Sequence, residues 1–443
     1  CLSGSGHAKT ALQPRPRRTD VVQRTELEVS IGDKTMPVGR VTHVQDATRV
    51  FTQFAYAPTW LNSPRAFAVS PELALLPGTH IRKPKSRADS CFFYALADTA
   101  AGDWGRQIIA RAHASARKAL RDIPPLTEVD ALLAVNDPYR LGALRLTQSP
   151  LPWWPELTRH TPLATLEDLP RGLSACWAHE NKSGFGSDLA FLMAHGVSLG
   201  GSRPKMSLVD IDGSLALAKF PRLQETQHLP LGEVLALKMA RLAGIDTVKA
   251  RIEYVNSIPV AIVQRFDRLQ GGRKPYISAA SLLQAGSQDK LTYLELLDAM
   301  RRVSPDFVVD AQQLWRRLVF NLLITNTDDH LQNTGFLYEG RNKWRLAPAF
   351  DLNPFPDCPR SSCTALSTKA GAVTDVSVLL EHASFFEIST LQAKTALKEV
   401  AIVVRDWHRV ARSVELRLPT DAMTWYEPAF EHEQLYTSLR VPG

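Results

Sequence analysis

A polar loop between an apolar helix pattern and a predicted hairpin limits the possible folds of this chain more than any other feature. The helix pattern of residues 314–324 ends in the loop 325–333, which carries Asp328 and Asn333. Two strand patterns joined by a turn follow, and they lead directly to Asp351. Each of these residues alone is typical of an ordinary capped turn, because Asp and Asn favour loops. Their combined order favours a compact site for Mg-nucleotide phosphoryl transfer.

The side chains of this loop have separate tasks under that hypothesis. Asp328 and Asn333 have the spacing of an Asp-x-x-x-x-Asn catalytic loop. Asp328 accepts or orients the attacking hydroxyl, while Asn333 and Asp351 supply the oxygen ligands that Mg²⁺ requires. The sequence therefore predicts one catalytic residue and two metal ligands within a short stretch of chain.

A glycine-containing loop and another hairpin lie earlier in the chain. Residues 200–205 read GGSRPK and precede two apolar strand patterns that an Asp-Gly pair joins. Such a pair predicts a tight hairpin, because the turn needs positive φ at both central positions. Lys219 shares one face of the second strand with Leu215 and Leu217. We therefore predict that a nucleotide binds with its base on the leucine face and its phosphates at Lys219, although a lysine at a strand end is often only solvated.

The helix predicted over residues 231–242 offers a partner for this lysine. Glu233 lies off the apolar stripe of that helix. It can reach Lys219, as the strand lysine and the helix glutamate do in protein kinases. It can equally be a solvated carboxylate that complements the helix dipole, and the sequence leaves both interpretations open.

A further apolar strand pattern runs directly into a polar tract. Backbone groups of Gln264 and Phe266 in this tract can contact the edge of an adenine. The charged residues Arg265, Asp267 and Arg268 are also consistent with a purely structural ion-pair network. Both interpretations stay open from the sequence.

Composition narrows the class of protein. The 443 residues contain 52 basic and 45 acidic side chains, and the resulting charge of +7 favours an anionic partner such as a nucleic acid, a nucleotide or an acidic protein. The five cysteines are odd in number and widely spread, which predicts a cytoplasmic protein with reduced thiols. No apolar run reaches the roughly 18 to 20 residues that cross a bilayer, so we expect no membrane partner.

Changes in residue pattern divide the chain into four parts. Residues 1–21 are basic and rich in Gly, Ser and Pro, and they predict a tail that is disordered or of artificial origin. Residues 22–150 mix strand and helix patterns and predict an α+β domain. Residues 151–268 combine a Pro- and Trp-rich linker, which extends to about residue 172, with a strand-rich lobe. Residues 269–443 predict a helical lobe that contains the loop with Asp328.

Several of these segments resemble the motifs of the HipA family of toxin kinases, in the order in which that family has them. The matching segments are residues 198–205, 217–221, 265–268, 327–333 and 348–351. The N-terminal part is similar to the domain that precedes the kinase core in full-length members. This second similarity rests on residues 54–56, 60–61, 97–98 and 103–106.

The resemblance implies an α+β architecture: a bilobal protein-kinase-like fold with an extra N-terminal α+β domain and a mostly helical C-terminal lobe. It implies that Asp328 is the catalytic aspartate and that Asn333 and Asp351 bind the metal. Ser198 matches the serine that family members autophosphorylate to inactivate themselves. The residues implied to bind the nucleotide are Gly200, Gly201, Ser202, Arg203, Pro204, Lys205, Lys219, Gln264, Arg265, Phe266, His330, Asn333 and Asp351.

The same resemblance implies a serine/threonine protein kinase that uses ATP and Mg²⁺ and acts as the toxin of a toxin-antitoxin module. Its implied partners are a HipB-like helix-turn-helix antitoxin, operator DNA bound through the antitoxin complex, and a protein substrate such as an aminoacyl-tRNA synthetase. Two other functions stay open. The loop 328–333 also resembles that of phosphoinositide kinases, which leaves a small-molecule or lipid kinase. The basic charge supports a non-catalytic co-repressor that binds DNA with an antitoxin.

Overall fold

The computed structural model describes most of the chain. The described residues are 22–46, 49–86, 88–119, 123–148, 161–183, 186–198, 200–269 and 272–442. The tail predicted over residues 1–21 and part of the predicted linker lie outside them.

Strands and helices both occur throughout the described residues. The strands are β1 (Gln23–Ile31), β2 (Met36–Gln45), β3 (Val50–Tyr56), β4 (Thr79–Arg82), β5 (Leu144–Gln148), β6 (Lys205–Val209), β7 (Leu215–Lys219), β8 (Ala250–Val255), β9 (Ile258–Gln264), β10 (Arg268–Leu269), β11 (Gly272–Arg273), β12 (Tyr276–Ser278), β13 (Gly335–Gly340), β14 (Lys343–Leu346), β15 (Ala365–Ser367) and β16 (Gly371–Ala372). The helices are α1 (Pro58–Leu61), α2 (Tyr94–Ala97), α3 (Asp103–Ala119), α4 (Glu128–Leu133), α5 (Leu169–Glu180), α6 (Gly186–His195), α7 (Leu229–Leu242), α8 (Ala279–Leu282), α9 (Tyr293–Val303), α10 (Phe307–Leu323), α11 (Val376–Glu381), α12 (Thr390–Arg405), α13 (Trp407–Ala411), α14 (Thr420–Phe430) and α15 (Glu433–Arg440).

The N-terminal part is built on an antiparallel sheet with the strand order β4-β3-β2-β1-β5. Leu27, Val29 and Ile31 of β1 are buried, while Glu28 between them is exposed. This alternation is the period of two of a strand that packs one face on a core. Helix α3 packs against α6, so the N-terminal part touches the segment that leads into the next sheet.

The segment between the two large sheets is more helical than predicted. A linker was expected up to about residue 172, but α5 already begins at Leu169. Pro170 lies in the first turn of this helix, where a missing N–H costs nothing, so it marks a helix start rather than a linker. Gly172 lets the helix approach the second sheet closely, because a Cβ there would lie 2.9 Å from the ring of Phe220.

The second sheet has the order β6-β7-β9-β8, with all neighbouring strands antiparallel. Helix α7 packs on β8 and β9. The C-terminal part contains the hairpin of β13 and β14 and is otherwise mostly helical, with the largely buried α10 at its centre. One cluster of buried apolar residues includes members of the N-terminal sheet, of α7 and of α10. Among the described residues, no helix is both long and apolar enough to cross a membrane.

A buried ion-pair network joins the N-terminal part to the end of the second sheet. Asp267 accepts hydrogen bonds from Arg265 Nη2 at 2.5 Å and from Arg268 Nη1 at 2.7 Å. It also accepts one from the main-chain N–H of Gly142 at 2.7 Å, and Arg265 donates to the carbonyl oxygen of Tyr139. Burial alone would raise the pKa of Asp267, but the two guanidinium groups hold it below its ordinary value. The side chains of Arg265, Asp267 and Arg268 therefore form the structural ion-pair network that the sequence left open as one interpretation.

This network generates a stability prediction. We expect Asp267→Asn to lower the free energy of unfolding by about 3 to 5 kcal/mol, because two buried guanidinium groups lose their counter-charge. Urea denaturation measures this loss. The contribution of Asp267 is fully present above the pKa of an unfolded aspartate, about 3.9, and is lost as the pH falls through the lower pKa of the folded state.

The matched control for this prediction is Glu26→Gln. Glu26 pairs with Arg24 at 3.0 Å, but both side chains are exposed, so the pair contributes about 1 kcal/mol or less. If Asp267→Asn costs no more than this control, the network does not stabilise the junction as we describe.

Candidate active site

Lys219 lies between two carboxylates at the end of β7. Its Nζ donates hydrogen bonds to Glu233 Oε1 at 2.6 Å and to Asp351 Oδ1 at 2.7 Å. The side chain of Lys219 is 13% exposed and that of Glu233 is 4% exposed, so water is largely excluded from this pair. The solvated alternatives that the sequence left open for the two residues do not hold. The lysine and the helix glutamate are in contact.

Three separate parts of the chain supply these groups. Strand β7 carries Lys219, and α7, which packs on the same sheet, carries Glu233. The segment before Asp351 is fixed by a parallel bridge between Thr247 and Ala349. Asp351 has a φ of +56°, a left-handed conformation that a residue other than glycine adopts only at a cost and that is common at functional sites. The carboxylate is therefore held at Lys219 by the main chain around it.

Electrostatics favour the charged forms of Lys219 and Asp351, whereas burial outweighs Lys219 at Glu233 and raises the pKa of that carboxyl group. Burial alone would lower the pKa of Lys219, but Asp351 and Glu233 outweigh burial, and the pKa is raised. The pKa of Asp351 is well below its ordinary value, because Lys219 outweighs the opposite effect of burial. Burial, and then the charge of Lys219, lower the pKa of neighbouring Lys205 to about 8. Lys219 is thus protonated and Asp351 ionised at neutral pH, as phosphate and metal binding require.

The predicted phosphate loop, residues 200–205, folds back on this cluster. Lys205 Nζ donates to the carbonyl oxygen of Gly200. Gly201 has a φ of +85°, which favours glycine. The buried Trp104 holds the loop from outside: its main-chain N–H donates to the Gly201 carbonyl at 3.1 Å, and its Nε1 donates to the Lys205 carbonyl at 3.2 Å. The N-terminal part of the chain therefore positions the loop.

The remaining loop residues are also anchored. The Arg203 guanidinium donates to Glu225 at 2.8 Å, and the carbonyl oxygen of Ser202 accepts from Arg222 at 3.0 Å. Pro204 is buried immediately before β6. The side chain of Arg203 is thus engaged within the protein, so the main-chain amides of the loop are its clearest phosphate-binding groups.

Ser198 lies just before this loop and is buried. It is 3% exposed, and its Oγ lies 2.5 Å from Ser207 Oγ, so the two hydroxyls share a hydrogen bond. A phosphoryl group on Ser198 does not fit within this contact. Modification of Ser198 therefore requires the segment to move away from β6.

The loop with Asp328 begins where α10 ends. Thr325 has a φ of +55°, and its hydroxyl donates to the carbonyl oxygen of Ala429 at 2.8 Å, which fixes the exit of the chain from the helix. The side chain of Asp328 is 53% exposed, and its Oδ1 lies 3.7 Å from His330 Nε2. Asn333 Nδ2 donates to the main-chain carbonyl of Asp328 at 2.8 Å. The loop thus presents the Asp328 carboxylate to solvent while Asn333 holds its backbone.

The predicted adenine-contacting residues lie at the end of β9. The main-chain N–H groups of Gln264 and Arg265 donate to other main-chain carbonyl oxygens, at 2.8 and 2.9 Å. The guanidinium of Arg265 belongs to the ion-pair network described above. Phe266 stacks on Phe350, with ring centroids 5.3 Å apart. The predicted adenine contact therefore rests on the main chain of Phe266 more than on the other two residues.

The oxygen donors of the site are chemically suited to Mg²⁺. Asp351 is ionised, and Asn353 Nδ2 supports its carboxylate from 3.3 Å. Asn333 uses its amide nitrogen on the Asp328 carbonyl, which leaves its amide oxygen for a metal. Mg²⁺ usually binds only a few protein oxygens, such as this carboxylate and this amide oxygen. Phosphate oxygens and water then complete its octahedral shell.

Two residues that hold the site were not predicted as part of it. The sequence indicated Trp104 only as part of a motif of the N-terminal domain. A tryptophan in the first turn of a helix does not indicate which loop its N–H groups contact. Asp329 directly follows Asp328 and is 5% exposed. No local pattern distinguishes the exposed aspartate of this pair from the buried one.

Comparison with known proteins finds a family model that matches the part of the chain carrying most of the site residues. The model of the HipA-like C-terminal domain matches residues 197–413, which include the phosphate loop, Lys219, Asp328 and Asp351. Residues 197–413, just under half of the chain, are thus similar to the HipA-like C-terminal domain. The HipA resemblance predicted from the motifs is confirmed.

Relatives of the HipA-like chain agree with this assignment. A putative kinase of Sinorhizobium fredii is 28% identical over 35% of this chain and 42% of its own length. A putative kinase of Haemophilus influenzae is 22% identical over 39% of this chain and 57% of its own length. The chain thus spans about half the length of these curated relatives.

A solved structure extends the likeness to the whole fold. A chain of the Shewanella oneidensis complex of HipA, HipB and operator DNA matches with a TM-score of 0.66 and 16% identity, over 93% of this chain and 96% of its own length. At this identity the match shows the fold alone. The predicted α+β, kinase-like fold class is confirmed.

The buried cluster generates a prediction that needs no ligand. We expect Lys219→Met to lower the free energy of unfolding by about 3 to 5 kcal/mol, because the buried Glu233 carboxylate loses its counter-charge. Adding Glu233→Gln should recover part of the loss, since it removes the more deeply buried of the two carboxylates that Lys219 neutralises and leaves only the partly exposed Asp351 without its cation. Urea denaturation of the single and double variants measures both effects. A double variant as unstable as Lys219→Met alone would show that the ion pair is not what stabilises this position.

Proposed function

We propose that this chain is a Mg-ATP-dependent serine/threonine protein kinase that acts as the toxin of a toxin-antitoxin module. The observation that carries the proposal is the contact of Lys219 with both Glu233 and Asp351, in a domain that also holds Asp328. In protein kinases the strand lysine, the helix glutamate and the metal-binding aspartate must all be in place for phosphoryl transfer. Their mutual contact here is the arrangement of an assembled site.

Each residue contributes a group whose surroundings support its role. Lys219 and the amides of residues 200–205 bind phosphate oxygens. Asp351 and Asn333 hold Mg²⁺, which when bound offsets the charge of the phosphates. Asp328 orients the acceptor hydroxyl and accepts its proton, as the hydroxyl oxygen bonds to the γ-phosphorus and the bond to the leaving ADP oxygen breaks. Catalysis is thus mainly positioning and electrostatic stabilisation.

The proposed partners follow from the HipA comparison. The matched Shewanella structure contains HipB and operator DNA, and its fold is shared over 93% of this chain. We therefore infer that this chain binds a HipB-like helix-turn-helix antitoxin and, through it, operator DNA. The net charge of +7 favours association with such an anionic assembly. An aminoacyl-tRNA synthetase is the proposed protein substrate on the family resemblance alone.

The first test removes the carboxylates that the reaction needs. We expect Asp328→Asn and Asp351→Asn each to lower transfer of the ATP γ-phosphate to protein by about 100-fold or more, because one loses the proton acceptor and the other a metal ligand. Radiolabel transfer to proteins of a cell lysate measures this, and inhibition of growth should disappear in parallel. The matched control is Asp298→Asn, which changes an exposed carboxylate on α9.

The outcomes of this test separate the candidate functions. Wild-type rates in either active-site variant, with the control also unchanged, would contradict the assignment of Asp328 and Asp351. Radiolabel that enters a lipid or a small molecule instead of protein would favour the lipid- or small-molecule-kinase alternative.

A second test concerns Ser198. A phosphoserine there adds about −1.5 to −2 charges directly before the loop that holds the ATP phosphates, so we expect ATP to bind more weakly. The added phosphoryl group also breaks the hydrogen bond between Ser198 and Ser207 and so alters the start of β6. Calorimetry on unmodified protein and on protein phosphorylated at Ser198 measures the affinity, with Ser198→Ala as the control. Equal affinities together with equal kinase rates would show that this modification is not a switch.

A further inference from the structure

Two adjacent aspartates of the HipA-like loop have opposite surroundings. The Asp328 side chain is 53% exposed, whereas Asp329 is 5% exposed. Burial raises the pKa of Asp329. A buried carboxyl group costs free energy unless hydrogen bonds satisfy it, so its partners show which parts of the structure it holds.

Asp329 ties two other segments to the loop. Its Oδ2 accepts a hydrogen bond from the Tyr293 hydroxyl at 2.7 Å. Its Oδ1 accepts from the main-chain N–H of Cys363 at 2.5 Å and, more weakly, from that of Thr364 at 3.4 Å. Its own carbonyl oxygen accepts from the hydroxyls of Tyr293 at 3.0 Å and Thr364 at 2.9 Å. One residue thus fixes α9 and residues 363–364 against the catalytic loop.

The segment held in this way lies next to the loop that carries the exposed carboxylate. Residues 361–364 follow Asp351 in the chain, and residues 361–363 are half-buried or exposed. The main-chain N–H groups of Cys363 and Thr364 and the Thr364 hydroxyl are bonded to Asp329, which directly follows Asp328. The segment is therefore bonded to the residue next to the carboxylate that an acceptor hydroxyl must approach.

We propose that Asp329 is a positioning residue for the acceptor side of the reaction: it holds residues 361–364 beside Asp328, so that this segment forms one wall of the site for the substrate hydroxyl. The proposal rests on the proposed kinase function. Asp329 touches helix α9 and the 361–364 segment, whereas the groups around Lys219 come from the second sheet, α7 and the segment at Asp351. Its loss should therefore impair acceptor phosphorylation and leave ATP binding intact.

Asp329→Asn is the informative variant, because the amide keeps the shape of the side chain and replaces a charged acceptor by a neutral one. We expect kcat/KM for phosphorylation of dephosphorylated casein, used as a generic protein acceptor, to fall by about 10- to 100-fold. The calorimetric Kd for ATP should stay within about twofold of wild type. If the variant does not fold, Tyr293→Phe removes one donor to the same carboxylate and should give a smaller loss of the same kind.

The matched control is Asp310→Asn. Asp310 is also a buried carboxyl with a raised pKa, and it accepts from the Ser304 hydroxyl at 2.6 Å. It lies near the start of α10, about 20 Å along the helix from the loop at 1.5 Å per residue. This variant should lower stability and leave both kcat/KM and the Kd for ATP unchanged, as a purely structural aspartate would.

Cys363 gives a readout that needs no kinase activity. Its thiol is exposed and its main-chain N–H is bonded to Asp329. Iodoacetamide should therefore modify Cys363 several-fold faster in Asp329→Asn, with exposed Cys358 as the internal reference in peptide mass spectrometry. An unchanged Cys363 rate, or a loss of ATP affinity as large as the loss of kcat/KM, overturns the proposal. Failure of the kinase function itself looks different, because the wild-type protein then phosphorylates no acceptor, and the positioning role falls with it.

Discussion

The contact of one buried ammonium with two carboxylates is the constraint on which the rest of the HipA-like structure depends. Lys219, Glu233 and Asp351 come from a strand, a helix and a loop that are distant in sequence. Removing such charges from water costs several kcal/mol per ion, and only close geometry offsets that cost. The sheet, helix α7 and the segment before Asp351 must therefore all be correctly placed. This requirement explains why the main chain at Asp351 is held in a conformation that its side chain does not favour.

The proposed nucleotide side of the site depends on contacts between the N-terminal part and the second sheet. Trp104 of the N-terminal part donates two hydrogen bonds to the predicted phosphate loop. Arg265, which directly follows β9, donates to the carbonyl oxygens of Tyr139 and Arg140. These contacts are buried, so they exchange little with water and restrain the segments they join. The continuous apolar core that runs through both parts has the same consequence. The N-terminal domain is thus a structural component of the proposed nucleotide site.

The sequence predicted which side chains meet at the candidate site better than it predicted the contacts that support them. Lys219 and Asp351 were chosen from residue type and spacing, and the fold brings them into contact. Such spacing is informative because strand alternation and hairpin turns are local. The contacts of Trp104 and Arg265 are not local, since each joins residues about 100 or more positions apart. The start of α5 was missed for a different reason: a proline in the first turn of a helix and a proline in a linker look alike without their neighbours.

Two adjacent residues of one type can acquire different roles only through the fold around them. In the irregular backbone after α10, the carboxylate of Asp328 points to solvent and that of Asp329 points inward. The inward carboxylate is tolerated because Tyr293 and the main chain at Cys363 donate to it, and those donors belong to α9 and to residues 361–364. The buried aspartate and the exposed one are therefore linked: satisfying the first fixes the backbone from which the second reaches the site.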